Sequence, residues 1–355
     1  MRTTLTTIFY TLCVLGFGRI VQAQTPDLSL LFEDPTSAEI ASVRASWNAR
    51  DVQPYNWQTV GSGTLLGFTA DVVSHTVSGD IHYGVVRHPL NYDPNGSHPI
   101  LVVNHGGTSG TSVASVNPFS QNGCFDSFFI IAPSFSGEPL NTASLGLGTL
   151  TSEGEISEFD GDIDDVLALL NGTIANYSGA EAGNINVFGG SRGAGVSYLM
   201  SVRDSRIRRA VYFFGATDHM TYPGLETDLD SATGPFYNTI RTVADDYMAG
   251  NLSLADARAA LLSRSTIHFI NSLPSNIQIH HGDQDLAVPV ENSRLIDEAL
   301  TNRNLPTGSY SYFEYPGGGH GMLPDSITRR DEFLCVATTV APLTHVYIPF
   351  VGKPY

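Results

Sequence analysis

The sequence is poor in cysteine and in basic residues, and both shortages limit what the protein can do. Its 355 residues include three cysteines, and 18 lysines and arginines stand against 35 aspartates and glutamates, for a formal net charge of −17. A body this acidic repels nucleic acid and anionic membranes. We therefore expect no nucleic-acid partner, and the spacing of the cysteines does not suggest a metal site.

Long apolar runs are also absent, except at the amino terminus. Arg2 precedes an apolar run over residues 5–17, and Val21-Gln22-Ala23 has the small-x-small pattern of a signal-peptidase site. The run is shorter than the ~20 residues that span a bilayer, which disfavours the alternative of an uncleaved anchor. Residues 1–23 are therefore predicted to be a signal peptide cleaved after Ala23, and the protein to be secreted or periplasmic without stable membrane insertion.

Two cysteines would remain after cleavage, because Cys13 lies within the predicted signal. In an exported protein, Cys124 and Cys335 can form one disulfide. The alternative is two separate buried thiols, and the sequence leaves both open.

The first part of the mature chain, residues 24–98, combines one helix with extended segments. Thr36 and Glu39 have the spacing of a capping box and open a helical pattern over residues 36–50. Segments rich in valine, threonine and aromatic residues follow, with glycines between them. These segments predict antiparallel strands at 58–66, 68–77 and 81–87.

Residues 99–341 have a different pattern, in which continuous apolar runs alternate with helical segments. This pattern is typical of an α/β domain with a mostly parallel central sheet and helices on both faces. The predicted strands are 100–103, 128–132, 185–188, 210–214, 277–280 and 310–315, and the predicted helices are 162–176, 194–202, 290–302 and 326–339. Residues 218–274 are too long for a simple connection and predict a small helical cap insertion, while 342–355 form a tail that could add an edge strand.

A glycine-rich turn centred on Ser191 carries the clearest chemical signal. An apolar run leads into Gly189-Gly190-Ser191-Arg192-Gly193, and helix-forming sequence follows. Strand, sharp turn and helix in this order are what a nucleophile elbow requires, with small residues around the strained serine. The alternative is an ordinary serine in a turn that cradles a phosphate.

An acid and a base follow the serine in the order that a serine hydrolase needs. The strand predicted at 277–280 leads to Asp285, and the strand at 310–315 leads into glycines and then His320. A serine hydroxyl needs a general base, and the base needs an acid to orient it. We assign these roles to His320 and Asp285, with Asp283 as the competing acid.

The negatively charged oxygen of a tetrahedral intermediate also needs hydrogen-bond donors, the oxyanion hole. One predicted donor is the backbone amide of Arg192. The other is the amide of Gly107 in the glycine-containing loop after the first parallel strand, with Gly106 and Thr108 in reserve. His105 in the same loop is interpreted as a structural hydrogen-bonding residue rather than a base.

Other side chains are weaker candidates for substrate contact. Met220, Tyr222, Phe236 and Tyr237 of the predicted cap could line an apolar substrate pocket, or could pack in the core of the cap. The Arg192 side chain could bind a substrate carboxylate, but we favour an ion pair with an acid such as Glu155 that stabilises the elbow.

Two patterns that resemble metal sites are interpreted without a metal. The alternating aspartates of residues 160–165 lack the glycine and the glutamate of a calcium loop, and acids are favoured at a helix start in any case. His280 and His281 are adjacent on a predicted strand, so their side chains point to opposite faces. We therefore predict no metal and no cofactor.

These motifs resemble the catalytic domain of the prolyl oligopeptidase family and dienelactone-hydrolase-like α/β-hydrolases. The resemblance rests on Phe188 to Gly195, Phe213 to Asp218 and His281 to Pro289, and it implies the same triad of Ser191, Asp285 and His320. The chain departs from the peptidases in two ways: residues 24–98 are too few for their β-propeller, and Arg192 stands where tyrosine is common.

The resulting hypothesis is a secreted serine hydrolase that cleaves carboxylic esters of a small molecule or a polymer through an acyl-enzyme. The alternatives are a serine peptidase acting on small peptides and a catalytically silent binding module on the same fold.

Overall fold

The computed structural model describes residues 26–117, 123–229, 231–303 and 305–335. The predicted signal peptide and carboxyl-terminal tail lie outside these residues. Twelve strands lie within the described residues: β1 Tyr55–Leu65, β2 Phe68–Val77, β3 Asp80–Arg87, β4 His98–Asn104, β5 Thr111–Ser112, β6 Phe129–Pro133, β7 Pro139–Asn141, β8 Thr149–Thr151, β9 Ala180–Gly190, β10 Ile207–Phe213, β11 Asn276–Gly282 and β12 Tyr310–Tyr315. Eight α-helices accompany them: α1 Ser37–Asn48, α2 Asp162–Asn176, α3 Arg192–Arg203, α4 Leu225–Asp228, α5 Pro235–Met248, α6 Leu254–Leu262, α7 Glu291–Thr301 and α8 Pro324–Cys335.

A nine-stranded sheet forms the centre of the molecule, in the order β1-β2-β3-β6-β4-β9-β10-β11-β12. Strands β1 to β3 pair antiparallel, and β3 pairs antiparallel with β6. From β6 to β12 all neighbours in the sheet are parallel. The predicted mostly parallel sheet is confirmed. The change in sequence pattern has a physical cause, since a strand such as β6 is buried along its whole length, whereas β1 is largely exposed.

Strands β5, β7 and β8 form a second, three-stranded sheet that the sequence did not predict. Each of them has only two or three residues. Segments this short carry no usable alternation of apolar and polar residues.

Within the described residues, the two faces of the large sheet are covered unequally. Alternate strand residues such as Val72 and Val73 point to opposite faces and enter separate clusters of buried side chains. The cluster that contains Val73 also includes side chains from α1, α2, α3, α5, α6 and α7. The cluster on the other face takes Leu334 from α8 and residues of two 3₁₀ turns, Val113–Val116 and Gly123–Ser127.

A disulfide joins two of the elements that cover this second face. Cys124 in the second 3₁₀ turn is bonded to Cys335 at the end of α8, with a Cα–Cα distance of 5.8 Å. Of the two possibilities that the sequence left open, the structure therefore contains the disulfide.

The segment predicted as a cap contains α4, α5, α6 and a 3₁₀ helix at Thr266–Ser272. Helix α6 packs against α1, and Arg258 of α6 forms an ion pair with Glu39 of α1 at 2.6 Å. The segment is thus anchored to the amino-terminal helix. Within the described part of the chain, none of the helices has the length and apolar character needed to cross a bilayer.

Candidate active site

Ser191 occupies a strained turn between β9 and α3. Its φ of 58° and ψ of −129° lie outside the regions that side-chain-bearing residues normally adopt. A side-chain carbon on Gly189 would clash with the carbonyl group of Gly193, and one on Gly193 would clash with the carbonyl group of Asn104. The glycines of the motif are therefore required by packing, and the turn has the strand-elbow-helix form that the sequence predicted.

A continuous chain of hydrogen bonds joins Ser191, His320 and Asp285. His320 Nε2 lies 2.9 Å from Ser191 Oγ, and His320 Nδ1 lies 2.7 Å from Asp285 Oδ2. The three residues follow β9, β12 and β11, whose carboxyl ends meet at one edge of the parallel sheet. With its proton on Nδ1, His320 donates to Asp285 and can accept the proton of the serine hydroxyl.

Asp285 is held in its ionised form by its surroundings. Its Oδ1 accepts hydrogen bonds from the amides of Ala287 and Val288 at 2.8 and 3.0 Å. His281 Nε2 lies 3.3 Å from its Oδ2. Burial raises the pKa of this carboxyl group, but the hydrogen bonds from His281, His320 and Val288 outweigh burial and hold the pKa well below its usual range.

Asp283, the competing acid, faces a different group. Its Oδ1 accepts a hydrogen bond of 2.6 Å from the amide of Gly317, in the turn that leads to His320. It therefore supports the backbone of that turn, whereas Asp285 contacts the imidazole ring itself.

The loop after β4, the predicted source of an oxyanion donor, lies directly beside the elbow. A side-chain carbon on Gly106 would be 3.1 Å from Cβ of Ser191, and Gly107 has a φ of +67° that glycine adopts without strain. The loop is thus placed where its amides could reach a reacting group. The assignment of Gly107 and Arg192 amides as the donors stays a prediction.

His105 in this loop has the surroundings of a structural residue. Its ring stacks on Phe135 with centroids 4.3 Å apart, and its Nε2 lies 3.4 Å from a carboxylate oxygen of Glu138. Burial lowers the pKa of His105 to about 4, so the ring is neutral near pH 7.

The side chain of Arg192 pairs with acids other than the one we named. Its guanidinium group forms a bidentate ion pair with Asp162, in which Nε donates to Oδ2 at 2.9 Å and Nη2 donates to Oδ1 at 2.7 Å. It forms a second ion pair with Glu138. Glu155 is therefore not the partner, and the expectation of an ion pair that stabilises the elbow is corrected to Asp162 and Glu138. Glu138 was missed because it precedes Arg192 by 54 residues and lies in a short, irregular segment.

The aspartates of residues 160–165 are all engaged by protein groups. Besides Asp162, which binds Arg192, the carboxylates bind several other donors. Asp160 accepts from Trp47 and Arg50, Asp164 pairs with Arg50 and Arg203, and Asp165 accepts from the amide and hydroxyl of Ser136. The run connects the helix bearing the nucleophile to α1.

Three of the four predicted substrate-binding residues of the cap are buried, and the three aromatic rings among the four pack against one another. Met220 is 0%, Phe236 2% and Tyr222 8% exposed, and Tyr237 is half-buried. The Phe236 ring lies 5.1 Å from that of Tyr222 and 5.0 Å from that of Tyr237. As placed, these side chains belong to the core of the cap, the alternative that the sequence left open, and contact with a substrate stays a prediction.

One residue beside the histidine was missed by the sequence. The ring of Phe214, directly after β10, lies 4.5 Å from that of His320, and Phe214 has a φ of 40°. Its place at the carboxyl end of a parallel strand, the same position that selected Asp285 and His320, could have pointed to it.

Solved structures of similar fold include esterases and peptidases, although no family model and no curated protein matches the chain. The structure resembles acetyl xylan esterase 1 from Thermoanaerobacterium sp., with a TM-score of 0.60 and 15% identity over 87% of this chain and 98% of that one. It also resembles an acetyl xylan esterase from Paenibacillus sp., with a TM-score of 0.59 and 17% identity over 86% of this chain and 97% of that one. For dipeptidyl peptidase 4 from Porphyromonas gingivalis, the TM-score is 0.51 and the identity 17%, over 82% of this chain and 36% of the peptidase. The chain has the α/β-hydrolase fold, as its motifs predicted; identities this low establish the fold alone.

Proposed function

We propose that the protein is an exported serine hydrolase that cleaves carboxylic esters. The observation that carries the proposal is the hydrogen-bonded chain of Ser191, His320 and Asp285 at the strained elbow. Ser191 attacks the ester carbonyl while His320 takes its proton, and Asp285 orients the imidazole and stabilises its charged form. His320 then gives the proton to the departing alcohol. Water, activated by the same histidine, releases the acid from the acyl-enzyme.

Esters are favoured over peptides as substrates because the chain covers a larger share of the neighbouring esterases than of the neighbouring peptidase. It covers 98% and 97% of the two acetyl xylan esterases but only 36% of the dipeptidyl peptidase. The chain thus matches the esterases over nearly their whole length and the peptidase over about a third of its length. The remaining length of the peptidase has no counterpart in the match. An acetylated sugar polymer is accordingly one of the substrates worth testing.

Export is supported by the disulfide between Cys124 and Cys335. Disulfides persist in oxidising compartments and are rare where thiols are kept reduced. This agrees with the signal peptide proposed from residues 1–23.

The substrate is proposed to bind under the cap segment, beside the loop that follows Asp285. A side-chain carbon on Gly234, just before α5, would lie 3.2 Å from the carbonyl oxygens of Leu286 and Ala287. The cap therefore contacts the loop that follows the acid. Leu286 itself is 89% exposed, which leaves an apolar side chain available at this edge.

The test is a substrate panel on the purified protein, with Ser191→Ala as the matched control. We expect a fluorophosphonate to label the protein and not the variant, and short acyl esters or acetylated xylan to be cleaved faster than aminoacyl amides. Faster cleavage of the amides would favour the peptidase. Equal labelling of the variant would contradict Ser191 as the nucleophile. No labelling of either protein would contradict the hydrolase and favour the silent binding module.

A further inference from the structure

The guanidinium group of Arg192 joins three separate segments of the chain. Besides the two-fold interaction with Asp162 at the start of α2 and the ion pair with Glu138, its Nη1 donates to the carbonyl oxygen of Gly107 at 2.7 Å. The side chain is 6% exposed, and those of Asp162 and Glu138 are 0% exposed. Arg192 lies next to Ser191 in sequence, so this network connects the nucleophile directly to the loop after β4.

The burial of this network argues against a role in binding a substrate charge. Two carboxylates face the one guanidinium group, and Phe135 lies against it with its ring centroid 4.8 Å away. A substrate carboxylate would have to displace a buried acid from its ion pair with Arg192. This is costly because the displaced acid would be left unpaired in the interior. The second interpretation of Arg192 from the sequence, a contact with substrate, is therefore disfavoured.

The bond to Gly107 fixes a residue that has open space beside it and the conformational freedom of glycine. A side-chain carbon built on Gly107 would meet no atom of the described residues within 4 Å, and the residue has a φ of +67°. A peptide unit is planar, and its C=O and N–H groups point in opposite directions. The Gly107 carbonyl shares its peptide plane with the amide of Thr108, so fixing the carbonyl fixes the direction of the Thr108 amide and restrains the position of the loop that carries the Gly107 amide.

We infer that Arg192 is a positioning residue for the oxyanion hole. Its guanidinium group, anchored by Asp162 and Glu138, holds the Gly107 segment at a set distance from Ser191. The amides of this loop are thereby held in place before the intermediate forms. Preorganised donors of this kind stabilise the transition state more than the bound substrate. The inference rests on the proposed ester hydrolysis but concerns a side chain that does not touch the reacting atoms.

Arg192→Lys is the direct test, because lysine keeps the positive charge but cannot bind Asp162 in two-fold fashion and reach Gly107 at once. The kcat for an activated ester, per active site titrated with a fluorophosphonate, is expected to fall about 100-fold, the size of the loss of one oxyanion donor. KM should stay within about threefold, and the affinity for a boronic acid that mimics the tetrahedral intermediate should fall in parallel with kcat/KM. Titrating active sites ensures that only folded protein is counted.

Arg203→Lys is the matched control. Arg203 lies on the same helix, is 5% exposed and pairs with Asp164, away from the proposed oxyanion loop. Its substitution is expected to lower the melting temperature while kcat stays within about threefold. If Arg192→Lys does not fold, Asp162→Asn weakens the same anchor with little change of shape and should lower kcat about tenfold at constant KM.

Three results would overturn the inference: an unchanged kcat in the folded Arg192→Lys or Asp162→Asn variant, a rise in KM alone, or an equal loss of kcat in Arg203→Lys. Failure of the proposed function is a separate result. In that case the unsubstituted protein would neither react with the fluorophosphonate nor cleave any ester.

Discussion

The Cα atom of Gly193 lies so close to the carbonyl group of Asn104 that a side-chain carbon on this glycine would overlap with it. This contact packs the first turn of α3 against the end of β4 and sets the elbow next to the loop that is proposed to form the oxyanion hole.

Replacement of Gly193 by alanine should therefore damage both folding and activity. The backbone of Asn104 has to move, and overpacking of this kind costs about 1–3 kcal/mol. We expect a lower melting temperature. We also expect kcat to fall by more than the decrease in the folded fraction of the protein accounts for. Gly183→Ala in β9 is the control, since no described atom lies within 4 Å of the added carbon. Equal behaviour of the two variants in urea unfolding and ester hydrolysis would contradict the packing argument.

Asp285 and Asp283 can be separated by the same substitution at each position. Asp285→Asn should leave the fold intact but reduce kcat about 10⁴-fold, because an amide no longer favours the working tautomer of His320 or its charged form. Asp283→Asn should retain kcat within about tenfold, because asparagine still offers an oxygen to the Gly317 amide. Steady-state kinetics on one ester distinguishes them. A larger loss in Asp283→Asn would exchange the two assignments.

The disulfide is expected to stabilise the protein strongly. It closes a loop of 211 residues, and the loss of chain entropy in the unfolded state gives a stabilisation of about 5 kcal/mol. The double variant Cys124→Ser/Cys335→Ser should therefore unfold at lower temperature, and reductant should have the same effect on the native protein but none on the variant. Thermal melts followed by circular dichroism test this, and a native melting temperature that is insensitive to reductant would show that the bond contributes little.

Buried neutral histidines should make the protein sensitive to acid. Burial, with a smaller effect of His82, lowers the pKa of His75 to about 3. An unfolded histidine has a pKa of about 6.5, so below that pH the unfolded chain binds a proton that the folded chain does not, and stability falls with pH. Between pH 7 and pH 5 this one residue lowers the free energy of unfolding by about 2 kcal/mol.

His75→Phe tests this acid sensitivity. Neither ring nitrogen of His75 has a hydrogen-bond partner among the described residues, and the ring stacks on Trp57 at 5.8 Å, so phenylalanine suits the site. The difference in unfolding free energy between pH 7 and pH 5, from urea titrations, should shrink in the variant. An unchanged difference would mean that His75 does not remain neutral in the folded state.

The parts of the site that the sequence predicted are those set by local pattern. The elbow is specified by five consecutive residues, in which glycine is required on both sides of the strained Ser191, at positions 189 and 193. Asp285 and His320 each follow a strand whose apolar run is visible in the sequence. Once the strands are known to be parallel, their carboxyl ends must share one edge of the sheet.

The contacts that the sequence did not predict join residues far apart along the chain. Arg192 binds Asp162, Glu138 and Gly107 across separations of 30, 54 and 85 residues, and no periodicity of the sequence records which acid will face a given arginine. The burial of Met220 and Phe236 was open for the same reason. An apolar side chain suits a pocket and a core equally well, and only the packing of the surrounding elements distinguishes them.

The sequence by itself thus determined the fold class, the elbow at Ser191 and the order of the acid and the base, because each depends on residues adjacent in the chain. The tertiary structure alone decided that Asp285 rather than Asp283 faces His320, that Cys124 bonds to Cys335, and that Arg192 is ion-paired in the interior. Those outcomes depend on the distances between segments that meet only when the sheet and its helices have packed.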